Sequence, residues 1–207
     1  MTKLFIFSTF LLCVWSTVVQ GFSTTAKTAL VIDNMTGEVL LSKDIHRPIP
    51  PASMSKLMTL WMVFESLDEG KLEMHDTFKV SRKAWKKGGS KMFLREGESV
   101  KIEDLIKGVI IQSGNDACIV LAEGLAGTEE NFAELMTIRA KEIGLTNSNF
   151  KNSTGWPDPQ HKMSSKDLVT LATKIREKYP YYYKIFSDLE FTWDGISQKN
   201  RNPLLSM

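Results

Sequence analysis

A helix that is apolar on nearly every side cannot lie on a surface, because other elements must wrap it. This chain contains such a segment. From about Ser53 to Leu67 the run SMSKLMTLWMVFESL sets Met54, Leu57, Met58, Trp61, Met62 and Phe64 around most of a helical circumference. Pro48, Pro50 and Pro51 block helix before residue 52 and stiffen the approach. Gly70 supplies the stop. The segment therefore predicts a central helix entered at a sharply defined point.

The remaining sequence offers the elements to surround it. Ala29 to Ile32 and Val39 to Leu41 flank Asn34-Met35-Thr36-Gly37, the pattern of a β-hairpin. DTFKVSRKAWKKGGSKMFLREGESVKI is mixed, with turns at Gly88-Gly89 and Gly97. KIEDLIKGVIIQSG predicts a short helix broken near Ser113-Gly114, and DACIVLAEGLAG predicts a second. Thr128 caps a third through about Glu142, with Gly144 past its end. Ser164 and Asp167 form an S-x-x-D capping box for a fourth, stopped by Pro180. LEFTWDGI from Leu189 reads as a returning strand. With 207 residues the chain suits one domain, with room for two lobes around a shared core. The element mixture is α+β.

Composition excludes some functions. The formal charge is +2, and +1 without Lys3, with no basic stripe of the kind that binds nucleic acid. The KKGGSK run reads as a solvated loop, or as one that meets an anionic substrate. The opening MTKLFIFSTFLLCVWSTVVQG has one lysine, an apolar stretch from Leu4 to Val19 and cleavable residues near Gly21. That is the order of parts in a secretory signal peptide over 1–21, so export is expected. Leu4 to Val19 is short for a spanning helix, and no other membrane anchor is expected in this chain. Beyond the signal only Cys118 remains, and a single thiol makes no internal disulfide. A buried, inert Cys118 is expected.

One feature of the central helix is out of place in a core. Ser53 and Lys56 stand three residues apart, on one face by helical spacing. A lysine emerging from an apolar helix is pushed toward its neutral amine, and a neutral amine beside a hydroxyl is a base with its nucleophile. The helix start adds free N–H groups that favour negative charge. The motif alone is weak. Ser53 also suits an N-cap and Lys56 a snorkelling side chain. Ser148-Asn149-Phe150-Lys151 matches the same pattern in a polar stretch. Ser113-Gly114-Asn115, at a helix break, is an ordinary turn or a place to aim a hydroxyl and an amide at a cleft.

Taken together, PPASMSKLMT, GGSKMFLREGE, IQSGNDACIVLAEGLAG, MSSKDL and QKNRNPLL, in this order and spacing, resemble the D-alanyl-D-alanine carboxypeptidases. These are low-molecular-mass penicillin-binding proteins of the S11 peptidase type. The resemblance runs from about Thr28 to the last residue. It implies a β-lactamase/DD-peptidase-like fold, an antiparallel sheet with packed helices plus a helical lobe. It further implies a serine acyltransferase that removes the terminal D-alanine from peptidoglycan stem peptides through a Ser53 acyl-enzyme. Lys56 would be the base. Ser113 would pass a proton toward the leaving amine. Asn115 would position substrate and Lys56, and the Ser53 N–H would give half of an oxyanion hole. β-Lactams would acylate Ser53 as inhibitors, in the periplasm or cell-wall space of a bacterium. No cofactor or metal is implied, since His46, His75 and His161 lack ligand spacing. By the same resemblance Ser90 is a cleft-rim residue or only a turn serine. Trp156 lines the cleft or only packs a loop, and packing is the expectation.

The family's Lys-Thr-Gly motif is not among the 207 residues, which carry Asn200-Arg201-Asn202 and end five residues later. Residues 22–207 are therefore expected to be an incomplete DD-peptidase domain lacking C-terminal strands, with impaired activity. The alternatives are a non-catalytic relative that binds muropeptide or a partner, and a Ser-Lys β-lactamase or esterase.

Overall fold

The computed structural model describes residues 23–207, and the signal segment expected over 1–21 lies outside them. The central helix is there. Helix α1 spans Lys56–Asp68, and Met58, Leu60, Val63 and Phe64 are buried. It begins three residues later than its sequence suggests. Ala52–Ser55 instead form a 3-10 turn, because Ala52 adopts a left-handed conformation (φ 49°) that starts no α-helix. Gly70, at φ 66°, turns the chain away after the helix.

The other elements follow in chain order. The hairpin pairs β1 (Ala29–Ile32) with β2 (Val39–Lys43), antiparallel, with a bulge after Val31. Its turn is held by the Asp33 carboxylate, which accepts from the N–H groups of Met35 and Thr36. The mixed segment resolves into β3 (Thr77–Lys79), the short α2 (Arg82–Lys86) and β4 (Ser99–Lys101), with β3 and β4 antiparallel. Helices α3 (Ile102–Gln112) and α4 (Asn115–Ala126) follow, with the break at Ser113-Gly114. In α4 every residue from Asn115 to Ala122 is buried, so it is an internal helix like α1. Cys118 sits within it, with no exposed surface.

Helix α5 (Glu129–Glu142) starts at Thr128, whose hydroxyl accepts from the Asn131 N–H. Helix α6 (Ser165–Lys178) starts at Ser164, whose hydroxyl accepts from the Asp167 N–H. The reciprocal half of that capping box is not the one expected. The Asp167 carboxylate turns to the preceding loop and accepts from the Asn147 N–H and the Ser148 hydroxyl. Pro180 closes α6 and opens a short α7 (Pro180–Tyr183), where a proline at the first position lacks no needed donor. Tyr179 stands between them and meets Trp61 of α1 edge-on, with centroids 5.1 Å apart.

The returning strand is one half of a hairpin. β5 (Glu190–Trp193) pairs with β6 (Ile196–Lys199) through Asp194-Gly195, both at positive φ. Asp-Gly is a strong two-residue hairpin signal. Among the described residues the strands thus form three separate antiparallel pairs against a helical body. Two further bridges stitch the approach to α1. Ile49 pairs with Met163, and Asn149 pairs with Lys162, so residues 161–163 run beneath the turn that carries Ser53. Among the described residues no helix is long and apolar enough to cross a membrane.

Candidate active site

The turn before α1 separates two side chains that the sequence sets close together. Ser53 is exposed, whereas Lys56, one turn on, is 4% exposed. The Lys56 ammonium nitrogen lies 3.1 Å from the Ser53 Oγ and donates to the Thr154 carbonyl at 2.8 Å. Burial pushes the Lys56 amine below the ordinary lysine range, and the charges of Arg201 and Lys87 push the same way. The site thus holds an accessible hydroxyl beside an amine predisposed to lose its proton.

Cys118 faces this amine from α4. Burial raises the thiol to about 12, so it stays protonated and unreactive.

The wall behind Lys56 is the segment 152–156, and its backbone is held residue by residue. The Asn152 Oδ1 accepts from the N–H groups of Thr154, Gly155 and Trp156. The buried Glu129 carboxylate accepts from the Ser153 N–H and hydroxyl and is paired with Lys83 at 3.0 Å. The Ser153 carbonyl accepts from the Thr59 hydroxyl, one turn beyond the Lys56 contact. Gly155 lies against the entry turn so closely that a Cβ there would come within 1.8 Å of the Ala52 carbonyl oxygen. Only glycine fits.

The helix break carries the other two candidate residues. Ser113 is left-handed (φ 56°), and the N–H groups of Ser113 and Gly114 converge on the Gly108 carbonyl. The Ser113 hydroxyl is buried without a hydrogen-bond partner. The Asn115 side chain donates to the Gly88 carbonyl at 2.9 Å, while its own N–H donates to the Ser90 carbonyl at 2.8 Å. Lys56 directs its hydrogen bonds to Ser53 and Thr154, so the contact expected between Asn115 and Lys56 is not among those made. Next to Asn115, the Asp116 carboxylate accepts from the N–H groups of Met92, Phe93 and Leu94. It pins the 87–94 loop to the start of α4.

That loop is not simply solvated. Lys87 lies over the Trp156 ring, 4.1 Å from its centroid, and Arg201 donates to the Ser90 hydroxyl at 2.7 Å. Trp156 is 43% exposed, and a Cβ on Gly89 would come within 2.8 Å of the Asn115 amide and 3.2 Å of the Trp156 ring. Trp156 therefore packs against the 87–89 loop, beside Asn115. Ser90 joins the rim through Arg201. Sequence reasoning missed Thr154, Glu129, Ser153 and Arg201 as parts of this site. Of these only the Asn-Ser-Thr-Gly run at 152–155 carried a signal, that of a tight turn.

The family described as Peptidase_S11, D-alanyl-D-alanine carboxypeptidase, matches residues 16–207.

The chain belongs to the S11 D-alanyl-D-alanine carboxypeptidase family.

Among S11 members, the D-alanyl-D-alanine carboxypeptidase DacF of Bacillus subtilis is 39% identical over 175 residues, covering 80% of this chain and 45% of the relative. The structure of penicillin binding protein 5 from Haemophilus influenzae superposes with a TM-score of 0.86 at 36% identity, over 91% of this chain and 56% of that one. That of Penicillin-Binding Protein D2 from Listeria monocytogenes in the ampicillin-bound form gives 0.76 at 26%, over 87% of this chain and 74% of that one. The S11 chain described here spans about half the length of the curated relatives it matches. The likeness to penicillin-binding proteins bears out the α+β DD-peptidase-like fold expected from the motifs.

Proposed function

We propose that residues 22–207 form a serine-type D-alanyl-D-alanine carboxypeptidase domain acting on peptidoglycan stem peptides, exported by the signal segment at 1–21. One observation carries the reading: an exposed Ser53 hydroxyl 3.1 Å from a buried Lys56 amine whose pKa is depressed. In this reaction Lys56 takes the Ser53 proton as Oγ attacks the carbonyl between the two terminal D-alanines. The Ser53 N–H stabilises the oxyanion. The unpartnered Ser113 hydroxyl relays a proton to the leaving D-alanine amine, and water then hydrolyses the ester. Asn115, at the rim with Gly88, positions the substrate amide. No metal or cofactor takes part.

The same chemistry makes β-lactams inhibitors, because an acylated Ser53 would persist. That a homologous penicillin-binding protein is known in an ampicillin-bound form supports this. Incubation of the folded chain with a fluorescent penicillin, followed by peptide mapping, tests the reading. A covalent adduct on Ser53 is expected. Folded protein that takes no label overturns the enzyme and leaves a non-catalytic muropeptide binder. Rapid turnover of a chromogenic cephalosporin would instead identify a β-lactamase.

A further inference from the structure

One buried polar group near the site has no part in this chemistry. His161 is 2% exposed and lies beneath the entry turn of α1. Its Nδ1 accepts from the Lys151 N–H at 3.2 Å, which puts the ring proton on Nε2. Nε2 lies 2.8 Å from the Ser55 Oγ and donates to it. Ser55, itself fully buried, donates to the Ala52 carbonyl at 2.9 Å. Three donors thus point one way along a single chain, from the Lys151 backbone to the residue before Ser53.

The end of that chain is strained. Ala52 holds φ at 49°, a left-handed conformation that residues with a Cβ seldom adopt. Such strain persists only where surroundings over-determine it. Here the Gly155 backbone walls the Ala52 carbonyl on one side, and the Ser55 hydroxyl grips it. The peptide so fixed is the one that carries the Ser53 N–H. The ring is built to stay neutral. Burial lowers His161 to about 4, Asp158 opposes that shift and Lys162 adds to it, and the Phe150 ring packs against it edge-on at 5.4 Å.

We propose that His161 is a positioning residue for Ser53, acting through the Ser55 hydroxyl on the Ala52 carbonyl. The inference rests on the functional reading above for its kinetic arm only. Its test is a series of the full chain: wild type, Ser55→Ala, His161→Phe, the double variant, and His161→Gln, which can accept from Lys151 and donate to Ser55. Acylation by a fluorescent penicillin is followed by stopped flow, so that the rate constant and the prior non-covalent affinity separate. Melting curves and the 13C shifts of Ala52 are recorded alongside.

The expected result is an acylation rate constant about 10- to 100-fold lower in each single variant, with non-covalent affinity unchanged. The double variant should be no slower than the singles, because they interrupt one path. His161→Gln should recover to within about threefold, as conservation of donor and acceptor demands. Ser55→Ala removes one atom and covers the case in which His161→Phe fails to fold. Wild-type rates in Ser55→Ala would overturn the inference and leave the enzyme standing. If the wild type itself takes no label, the functional reading fails, and the Ala52 shifts decide. Movement out of the left-handed signature in Ser55→Ala upholds the relay, and unchanged shifts overturn it.

Discussion

The chain carries the pattern Ser-x-x-Lys twice, and the two copies are built in opposite ways. At 53–56 the hydroxyl is exposed and the amine buried. At 148–151 the hydroxyl is buried, donating to the Asp167 carboxylate at 2.7 Å, and the lysine is exposed. The second serine is a strut. Its oxygen is committed, and its lysine lies in solvent. The first pair has an amine taken out of water beside an oxygen left free. A spacing of three therefore fixes neither burial nor hydrogen bonding, and the packing around each pair decides both.

Substitutions can break that contrast. Ser53→Ala should abolish penicillin labelling, whereas Ser148→Ala should label at the wild-type rate, both read by gel fluorescence. Lys56→Met should lower the acylation rate constant by about 100- to 10,000-fold, the range for a general base, measured by stopped flow. It should also change the pH dependence of stability. A folded amine titrating below the unfolded lysine value of 10.5 means the unfolded chain binds more protons in the window between them. Wild-type stability therefore rises with pH across that window, and in Lys56→Met this slope should vanish from pH-dependent urea melts.

Structural variants sharpen the comparison. Gly155→Ala forces a Cβ into the Ala52 carbonyl at a positive φ of 79°, and should destabilise by roughly 2–4 kcal/mol while slowing labelling. Ser148→Ala leaves a buried carboxylate short of one donor and should cost about 1–3 kcal/mol of stability, by denaturant melts, with no kinetic effect. The smallest effect belongs to the rim. Burial lowers the Lys56 pKa most and the Arg201 charge adds to it, so Arg201→Gln should shift the acidic limb of the acylation profile slightly to higher pH, read by stopped flow.

Much of the frame was legible beforehand because it depends on local rules. Ser164 and Thr128 cap helices whatever surrounds them, and both do so here. The Asp167 half of the capping box misled for the opposite reason. A carboxylate takes the best donors within reach, and these came from a loop twenty residues away in sequence. Ser55 and His161 were invisible for the same reason, being 106 residues apart along the chain and 2.8 Å apart in space.

The sequence by itself determined that a buried central helix follows the three prolines, since prolines and an apolar run act through steric and hydrophobic rules that need no partner, whereas its first residue, Lys56, was set by the left-handed turn at Ala52. It also determined that a serine and a lysine share one face there. The tertiary structure alone decided which serine stays free and which lysine is desolvated. Desolvation is set by what packs around a group. For Lys56 that is Thr154, 98 residues on, together with helix α4.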